Sequence, residues 1–307
     1  MKLPARVVIE DEVLRDGMQN EQRIFPVAEK LDIVRGLEAA GVRRIQVGSF
    51  VHPKWVPQMA NTDEVFAALP RTGGVVYTAL ILNDKGLERA RAAGVSHLSM
   101  SMSASESHNR KNANCSRDEA KVRVRDMVTH AKEAGITVRA GIQSAFGCAY
   151  DGAIDPEFVL GVVEMYRDLG ADEVNLADSV GLANPKAVYE MTARARDILG
   201  GKAEVSLHLH DTRGLGLANM VAGLEGGATV FDAALGGLGG CPFIPGATGN
   251  VATEDAVFAL EEMGVATGID WRRLAALVPA IEQAVGRTLP GRMAHLAGGV
   301  CASAAKN

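Results

Sequence analysis

The sequence predicts an α/β fold, a (β/α)8 TIM barrel with a C-terminal helical extension, and three observations predict it. Short apolar runs alternate with longer amphipathic ones from end to end of the 307 residues. Eight such strand–helix units follow in strict order, and eight is the number at which a parallel sheet closes on itself. The helical runs stop on glycine in related phrases, E-A-A-G-V, R-A-A-G-V, K-E-A-G-I and R-D-L-G-A, each followed within a few residues by the next apolar run. Gly41, Gly94, Gly135, Gly170 and Gly227 sit where a helix should end, and a glycine there accepts the positive φ that terminates it.

Taken in order, strands are expected at residues 7–14, 44–50, 74–82, 96–102, 137–145, 173–178, 204–210 and 230–236. Helical patterns lie between them near 27–40, 60–69, 84–93, 117–134, 156–169, 185–199, 215–226 and 253–263. A doubly wound open sheet is the alternative arrangement, but no G-x-G-x-x-G follows the first strand to support it. Residues 1–307 are expected to form one domain, because α/β barrels routinely run this long as a single unit. Within it, residues 265–307 form a helical extension: an amphipathic run near 270–286, packed across the barrel exterior, and a Gly/Ala-rich tail.

Composition narrows the function classes. Hydrophobic residues make up 47% and charged residues 22%, the profile of a soluble globular protein. A net charge of −5 and only 5% aromatics argue against nucleic acid or a membrane surface as partner, since either calls for a basic footprint. An anionic small molecule needs only a local cationic patch, and a homo-oligomer is left open. The four cysteines are far apart with no C-x-x-C pair, which fits free thiols in a reducing compartment. The first strand-like run begins by about Val7, leaving no room for a targeting peptide, and no apolar stretch approaches the ~20 residues of a membrane span. A cytoplasmic location is expected.

In a barrel, the C-terminal ends of the strands and the loops that follow build the site. The first unit ends E-V-L-R-D-G-M-Q-N-E, placing Arg15 and Asp16 at the mouth; the second strand carries Gln46, and the sixth ends on Asp178. The seventh reads V-S-L-H-L-H-D, with His208 and His210 two apart, so the period of a strand puts both imidazoles on one face. Alone, an H-x-H is more often a hydrogen-bonded pair at a strand end. With Asp16 at another strand's mouth and the amide oxygen of Asn250, it becomes two nitrogens and two oxygens, a set suited to Mg²⁺ or Mn²⁺ rather than a structural zinc. Arg15-Asp16-Gly17 and Cys241 are weak signals singly. Cys241, however, lies in the glycine-rich loop G-G-L-G-G-C-P-F-I-P-G-A-T-G, a composition suited to a lid that excludes water during chemistry.

At these residues the sequence resembles the 3-hydroxy-3-methylglutaryl-CoA lyase family, within the wider group of barrel metallolyases and condensing enzymes that share an R-D-G-like first strand. The resemblance runs from R-D-G-M-Q-N-E through S-F-V-H-P-K-W-V-P-Q-M and H-N-R-K-N-A-N-C-S to H-L-H-D-T-R-G-L-G-L-A-N and G-L-G-G-C-P-F-I-P-G-A-T-G-N-V-A-T-E-D, nearly the whole chain. It implies retro-Claisen cleavage of an acyl-CoA substrate to acetyl-CoA and acetoacetate with a divalent metal. Asp16, His208, His210 and Asn250 resemble the metal ligands. Arg15 resembles the arginine that stabilises the enolate oxygen, Asp178 the carboxylate near the reacting hydroxyl, and Cys241 the loop cysteine that assists proton transfer. Gln19 is expected to line the pocket, and Arg110 and Lys111 of the fourth βα-loop to meet CoA phosphates or to form a solvated charged loop. Elementary chemistry asks for the same parts: a base for the C3 hydroxyl, which Asp178 or His208 can supply, and a fixed cation for the enolate.

One residue departs from the family pattern. Where the family carries glutamate on the second strand, this sequence has Gln46. Glutamine keeps hydrogen bonding but loses a charge and a proton carrier. The expectation is slow cleavage of 3-hydroxy-3-methylglutaryl-CoA and a gain in kcat for Gln46→Glu. The alternatives are a related lyase or aldolase for another branched hydroxy acid, a condensing transferase, disfavoured because the chain ends soon after the barrel, and a non-enzymatic barrel, disfavoured by the intact ligand set.

Overall fold

Eight parallel strands close into a barrel, each paired with its sequence neighbours and the last with the first. They are β1 (Val8–Asp11), β2 (Arg44–Ser49), β3 (Val76–Leu80), β4 (His97–Ser103), β5 (Thr137–Gln143), β6 (Glu173–Asp178), β7 (Glu204–Leu209) and β8 (Val230–Ala233). The computed structural model describes residues 3–70, 73–240 and 249–300. Around the sheet run α1 (Val27–Ala39), α2 (Thr62–Ala68), α3 (Asp84–Ala92), α4 (Glu106–Ala113), α5 (Arg117–Glu133), α6 (Pro156–Asp168), α7 (Pro185–Leu199), α8 (Gly216–Gly226) and α9 (Thr253–Glu262). Closure in the register Val8↔Val230 to Asp11↔Ala233 excludes the open doubly wound sheet.

Local chemistry sets the helix boundaries. All five stop glycines adopt positive φ, from 72° at Gly94 and Gly135 to 105° at Gly227. At the other ends, the side chains of Asn83, Ser105, Asp155 and Asn184 accept hydrogen bonds from first-turn N–H groups. Ser116 and Glu119 close a reciprocal capping box at the start of α5.

Two elements differ from the sequence expectation. The first strand, expected over 7–14, ends at Asp11, and Val13–Gly17 wind into a π-helical turn. Within it the Gly17 N–H donates to the Glu12 carbonyl at 3.1 Å. Val13 and Leu14 are fully buried, so a short apolar run could not separate strand from turn. Such π turns recur at functional sites, and this one carries Arg15 and Asp16. The fourth βα-loop holds the additional helix α4, whose polar sequence E-S-H-N-R-K-N-A shows no apolar period.

The chain after α9 is not helical at once. Residues 265–270 run beside the foot of β1, with Val7 N–H donating to Ala266 O at 3.1 Å and Asp270 N–H to Ala40 O at 2.8 Å. Helices α10 (Trp271–Ala275), α11 (Val278–Val285) and α12 (Arg292–Val300) follow, and α10 and α12 pack on α9.

The barrel interior is charged where branched aliphatic side chains are usual. Glu10 of β1, Arg44 of β2, Arg139 of β5 and Glu173 of β6 interlock there. Arg44 meets Glu10 at 2.6 Å and Glu173 at 2.7 Å; Arg139 meets the same two acids at 2.9 and 3.0 Å and also pairs with Asp232 of β8. Burial alone would raise the Glu10 carboxyl, but Arg44 and Arg139 outweigh it and hold it down at about 2. Buried charges persist only when paired this fully. The network forms a rigid ionic floor beneath the mouth.

Candidate active site

The floor of the barrel mouth is assembled from three pieces of chain. The π turn after β1 supplies Arg15 and Asp16, the end of β7 supplies His208 and His210, and the segment after β8 supplies Asn250. That last segment is laid against β7 by backbone pairing: His210 and Asn250 form an antiparallel bridge, and Asp211 N–H donates to Gly249 O at 2.8 Å. Residues far apart in sequence therefore converge by main-chain geometry.

Asp16, His208 and His210 each present a donor atom, all within 4.8 Å of one another. The two imidazole Nε2 atoms lie 3.0 Å apart, and His210 Nε2 is 3.7 Å from Asp16 Oδ2. Asn250 reaches the same carboxylate through its amide nitrogen, Nδ2 to Oδ2, at 2.9 Å. Behind His208, Nδ1 faces Asp232 at 3.1 Å and Glu12 at 3.4 Å. Carboxylates there accept a hydrogen bond from Nδ1–H, which orients the ring with Nε2 toward His210 and the cavity. Burial disfavours a charged His208, yet its bonds to Asp232 and Glu12 raise it to about 10, while Asp16 lies well below the usual carboxylate range despite its own burial because of Arg15 and the histidines. The site strongly favours positive charge between these groups, which is what a divalent cation requires.

A second trio, Glu12, His208 and Asp232, also brings donors together. Its acids are already neutralised, Asp232 by Arg139 and Glu12 by Arg15. It shares His208 with the first cluster and lies on that ring's Nδ1 side.

Arg15 is held on three sides. Its guanidinium donates to Glu12, to Asp16 and, through Nε, to the Gln46 side-chain oxygen. Only 13% of its side chain is exposed, yet it lines the cavity. A guanidinium immobilised in this way is a preorganised anion-stabilising group.

The cavity above these residues has a volume of about 1010 Å³. Gln19, Gln46 and Lys111 line it as the sequence suggested. Trp55, 85% exposed, and Arg123 line it toward the rim and were not singled out from the sequence. Trp55 lies in the quoted stretch S-F-V-H-P-K-W-V, where an aromatic among polar residues was the available signal.

Three expected site residues are placed differently or lie elsewhere. Asp178 is fully buried and does not line the cavity; its two oxygens accept from the N–H groups of Leu182 at 2.8 Å and Ala183 at 3.0 Å. It anchors the loop after β6. Arg110 is also absent from the cavity wall, with its guanidinium on Glu106 one helical turn back at 2.6 Å. Cys241 lies outside the described residues. Glu12 and Asp232 are the participants that sequence reasoning missed. The signal for Glu12 was the spacing E-D-E before the R-D-G: Glu10 and Glu12, two apart, lean toward the same interior.

Comparison with known proteins bears on the chemistry. The family described as HMGL-like matches residues 6–281. The chain is 40% identical to the hydroxymethylglutaryl-CoA lyase of Bacillus subtilis over 292 residues, covering 95% of this chain and 97% of that protein. It is also 40% identical to the (R)-citramalyl-CoA lyase of Chloroflexus aurantiacus over 294 residues, 92% of each chain. Among solved structures, the hydroxymethylglutaryl-CoA lyase of Pseudomonas aeruginosa superposes with a TM-score of 0.91 at 39% identity, covering 96% of this chain and 98% of that one.

Proposed function

The chain belongs to the hydroxymethylglutaryl-CoA lyase (HMGL-like) family, and on that premise we propose that it is a divalent-metal-dependent carbon–carbon lyase cleaving 3-hydroxy-3-methylglutaryl-CoA to acetyl-CoA and acetoacetate. The observation that carries the reading is the convergence of a clamped Arg15 with Asp16, His208 and His210 on the floor of one cavity.

Asp16, His208 and His210 would hold the metal, Mg²⁺ or Mn²⁺ in this proposal; Asn250 would complete the set through Oδ1, with its amide turned from the orientation in which Nδ2 donates to Asp16. The ion would supply Lewis acidity, lowering the pKa of the substrate's C3 hydroxyl. Asp232 and Glu12 hold the Nδ1 side of the His208 ring, so that its Nε2 would be the atom offered to the ion. A lone pair so offered cannot at the same time accept the hydroxyl proton, so His208 acts as ligand and not as base. Asp178, each of whose oxygens accepts a single loop N–H and keeps a lone pair, and whose carboxyl burial raises above its ordinary value, is the base in this proposal and takes the C3 hydroxyl proton. As the C2–C3 bond breaks, negative charge moves onto the thioester oxygen, and the Arg15 guanidinium stabilises it. Cys241, in the loop after β8, is assigned the proton transfer that completes acetyl-CoA, on the strength of the sequence resemblance.

The rim suits the remainder of an acyl-CoA. Trp55 offers an aromatic face and Lys111 and Arg123 offer cations on the wall of the roughly 1010 Å³ cavity. Free, buried Cys115 and Cys148 agree with a reducing compartment, and a cytoplasmic location belongs to this proposal.

A second reading is favoured by one observation. The citramalyl-CoA lyase is as similar to this chain as the methylglutaryl enzyme, so a different branched 3-hydroxy acyl group fits the same machinery. Comparing kcat/KM for 3-hydroxy-3-methylglutaryl-CoA and (R)-citramalyl-CoA with Mn²⁺ decides between them. A higher value for the methylglutaryl thioester supports the first reading, and the reverse order replaces it with the second.

A further inference from the structure

We infer that Glu12 is a positioning residue for this reaction, a single buried carboxylate that fixes both Arg15 and His208, and that Gln46 is uncharged because Glu12 already supplies the negative charge. The inference rests on the lyase reading above and centres on Glu12, which the sequence resemblance left out.

Glu12 is 1% exposed and stands between the two halves of the site. Its Oε2 accepts from the Arg15 guanidinium and lies 3.4 Å from His208 Nδ1; its Oε1 lies 3.5 Å from Arg139. Arg15 belongs to the anion-stabilising side and His208 to the metal side. Asp16 also pairs with Arg15 and shares the ligand cluster with His208, but among the described residues only Glu12 forms an ion pair with both. Asp232 also reaches His208, but its Oδ2 is shared with Arg139 and with Asn175 at 3.5 Å.

Gln46 shows why the charge sits on β1 and not on β2. Its Oε1 accepts from Arg15, while its Nε2 donates to Glu10 Oε1 and to Ser99 Oγ, both at 3.2 Å. The position therefore needs an acceptor on one side and a donor on the other, which an amide provides and a carboxylate does not. A glutamate at 46 would still hold Arg15. It would also set a second anionic oxygen against Glu10 in a buried site, where like charges are disfavoured. The expectation that Gln46→Glu speeds the enzyme is thereby reversed: the negative partner of Arg15 is present, one strand away.

The experiment compares Glu12→Gln, Gln46→Glu and the double variant that moves the charge from β1 to β2. For each, steady-state kinetics on the preferred acyl-CoA are paired with calorimetric titration of Mn²⁺ and thermal melting. Glu12→Gln should lower kcat by roughly 10- to 100-fold with little change in KM, and weaken Mn²⁺ on a similar scale. Gln46→Glu alone should lower Tm and give no gain in kcat. The double variant should recover kcat relative to Glu12→Gln, because Arg15 regains its second anionic partner and the net charge of the cluster is again that of wild type, although the carboxylate at 46 still faces Glu10. If Glu12→Gln fails to fold, Glu12→Asp keeps the charge but shortens the reach, and is expected to melt normally with reduced kcat. Wild-type kcat and Mn²⁺ affinity in a folded Glu12→Gln, or in Glu12→Asp if Glu12→Gln does not fold, would overturn the inference. So would a kcat gain from Gln46→Glu alone, or a folded double variant no faster than Glu12→Gln. Should wild type cleave no acyl-CoA offered, the lyase reading fails, while the Mn²⁺ titrations still decide whether Glu12 governs His208.

Discussion

His208 and His210 point their Nε2 atoms at each other across 3.0 Å, a separation at which two neutral imidazoles can share only one proton. Strand spacing puts both rings on one face, and the backbone bridge from His210 to Asn250 closes the third side of the cluster. Such an arrangement is most stable with positive charge between the rings. That charge is the premise of the chemistry, and it can be measured without substrate.

Titrating the metal-free protein with Mn²⁺ should show tight binding at one site, and His210→Ala should weaken it at least tenfold with Tm nearly unchanged, because the mouth contributes little to the core. Unaltered Mn²⁺ affinity in His210→Ala would remove the cluster from consideration as the metal site.

Arg15→Lys keeps the charge and should still be severe. Three separate partners hold the planar fork of the guanidinium, and an ammonium cannot meet all of them. The loss should appear in kcat, by roughly 10²-fold or more, the scale of a removed oxyanion donor. Near-normal kcat with a raised KM would instead assign Arg15 to ground-state binding.

Cys241→Ser should leave Mn²⁺ affinity intact and slow turnover by about 10²-fold, as expected for loss of a general acid. Alkylation of Cys241 should also be slower when a ligand is bound. Turnover near the wild-type rate in the serine variant would reduce the thiol to a packing role.

Far from the mouth, His97 makes acid stability testable. Burial and the neighbouring Arg44 guanidinium, which donates to its Nε2 at 3.1 Å, push this imidazole down to about 4. Above the unfolded value near pH 6.5 both states are neutral and His97 contributes no pH dependence. As pH falls from about 6.5 toward 4, the unfolded chain protonates first, so stability is lost at up to about 1.4 kcal/mol per pH unit. Chemical denaturation at pH 7 and pH 5 should show wild type losing more stability than His97→Gln, which keeps an acceptor for Arg44 and cannot titrate. Equal losses would mean that His97 is not the titrating group.

The architecture was legible because strands and helices alternate with sharp glycine stops, and Gly41 through Gly227 mark the ends where the structure has them. The convergence of Asp16, His208 and His210 was legible because H-x-H at a strand end puts both rings on one face, and Asp16 shares the mouth. What lay hidden was the interior of the sheet. Arg44 and Arg139 are the single charges of β2 and β5, while Glu10 and Glu173 share β1 and β6 with Asp11 and Asp178; such isolated charges read as solvated positions until the strands are brought together. Glu12 was hidden for the same reason. Asp178 shows what the sequence could not convey: the carboxylate at the end of β6 also accepts from the loop N–H groups of Leu182 and Ala183. The π turn escaped because Val13 and Leu14 are as apolar as a strand would be.

The most direct test of lyase function is product analysis with 3-hydroxy-3-methylglutaryl-CoA as the substrate, before and after exhaustive chelation. Intact enzyme supplied with Mg²⁺ or Mn²⁺ should yield acetyl-CoA and acetoacetate in equal amounts. Chelation should abolish both products, and added metal should restore them together. Persistent cleavage in metal-free enzyme, or no cleavage with either ion, would contradict a metal-dependent lyase acting on this thioester.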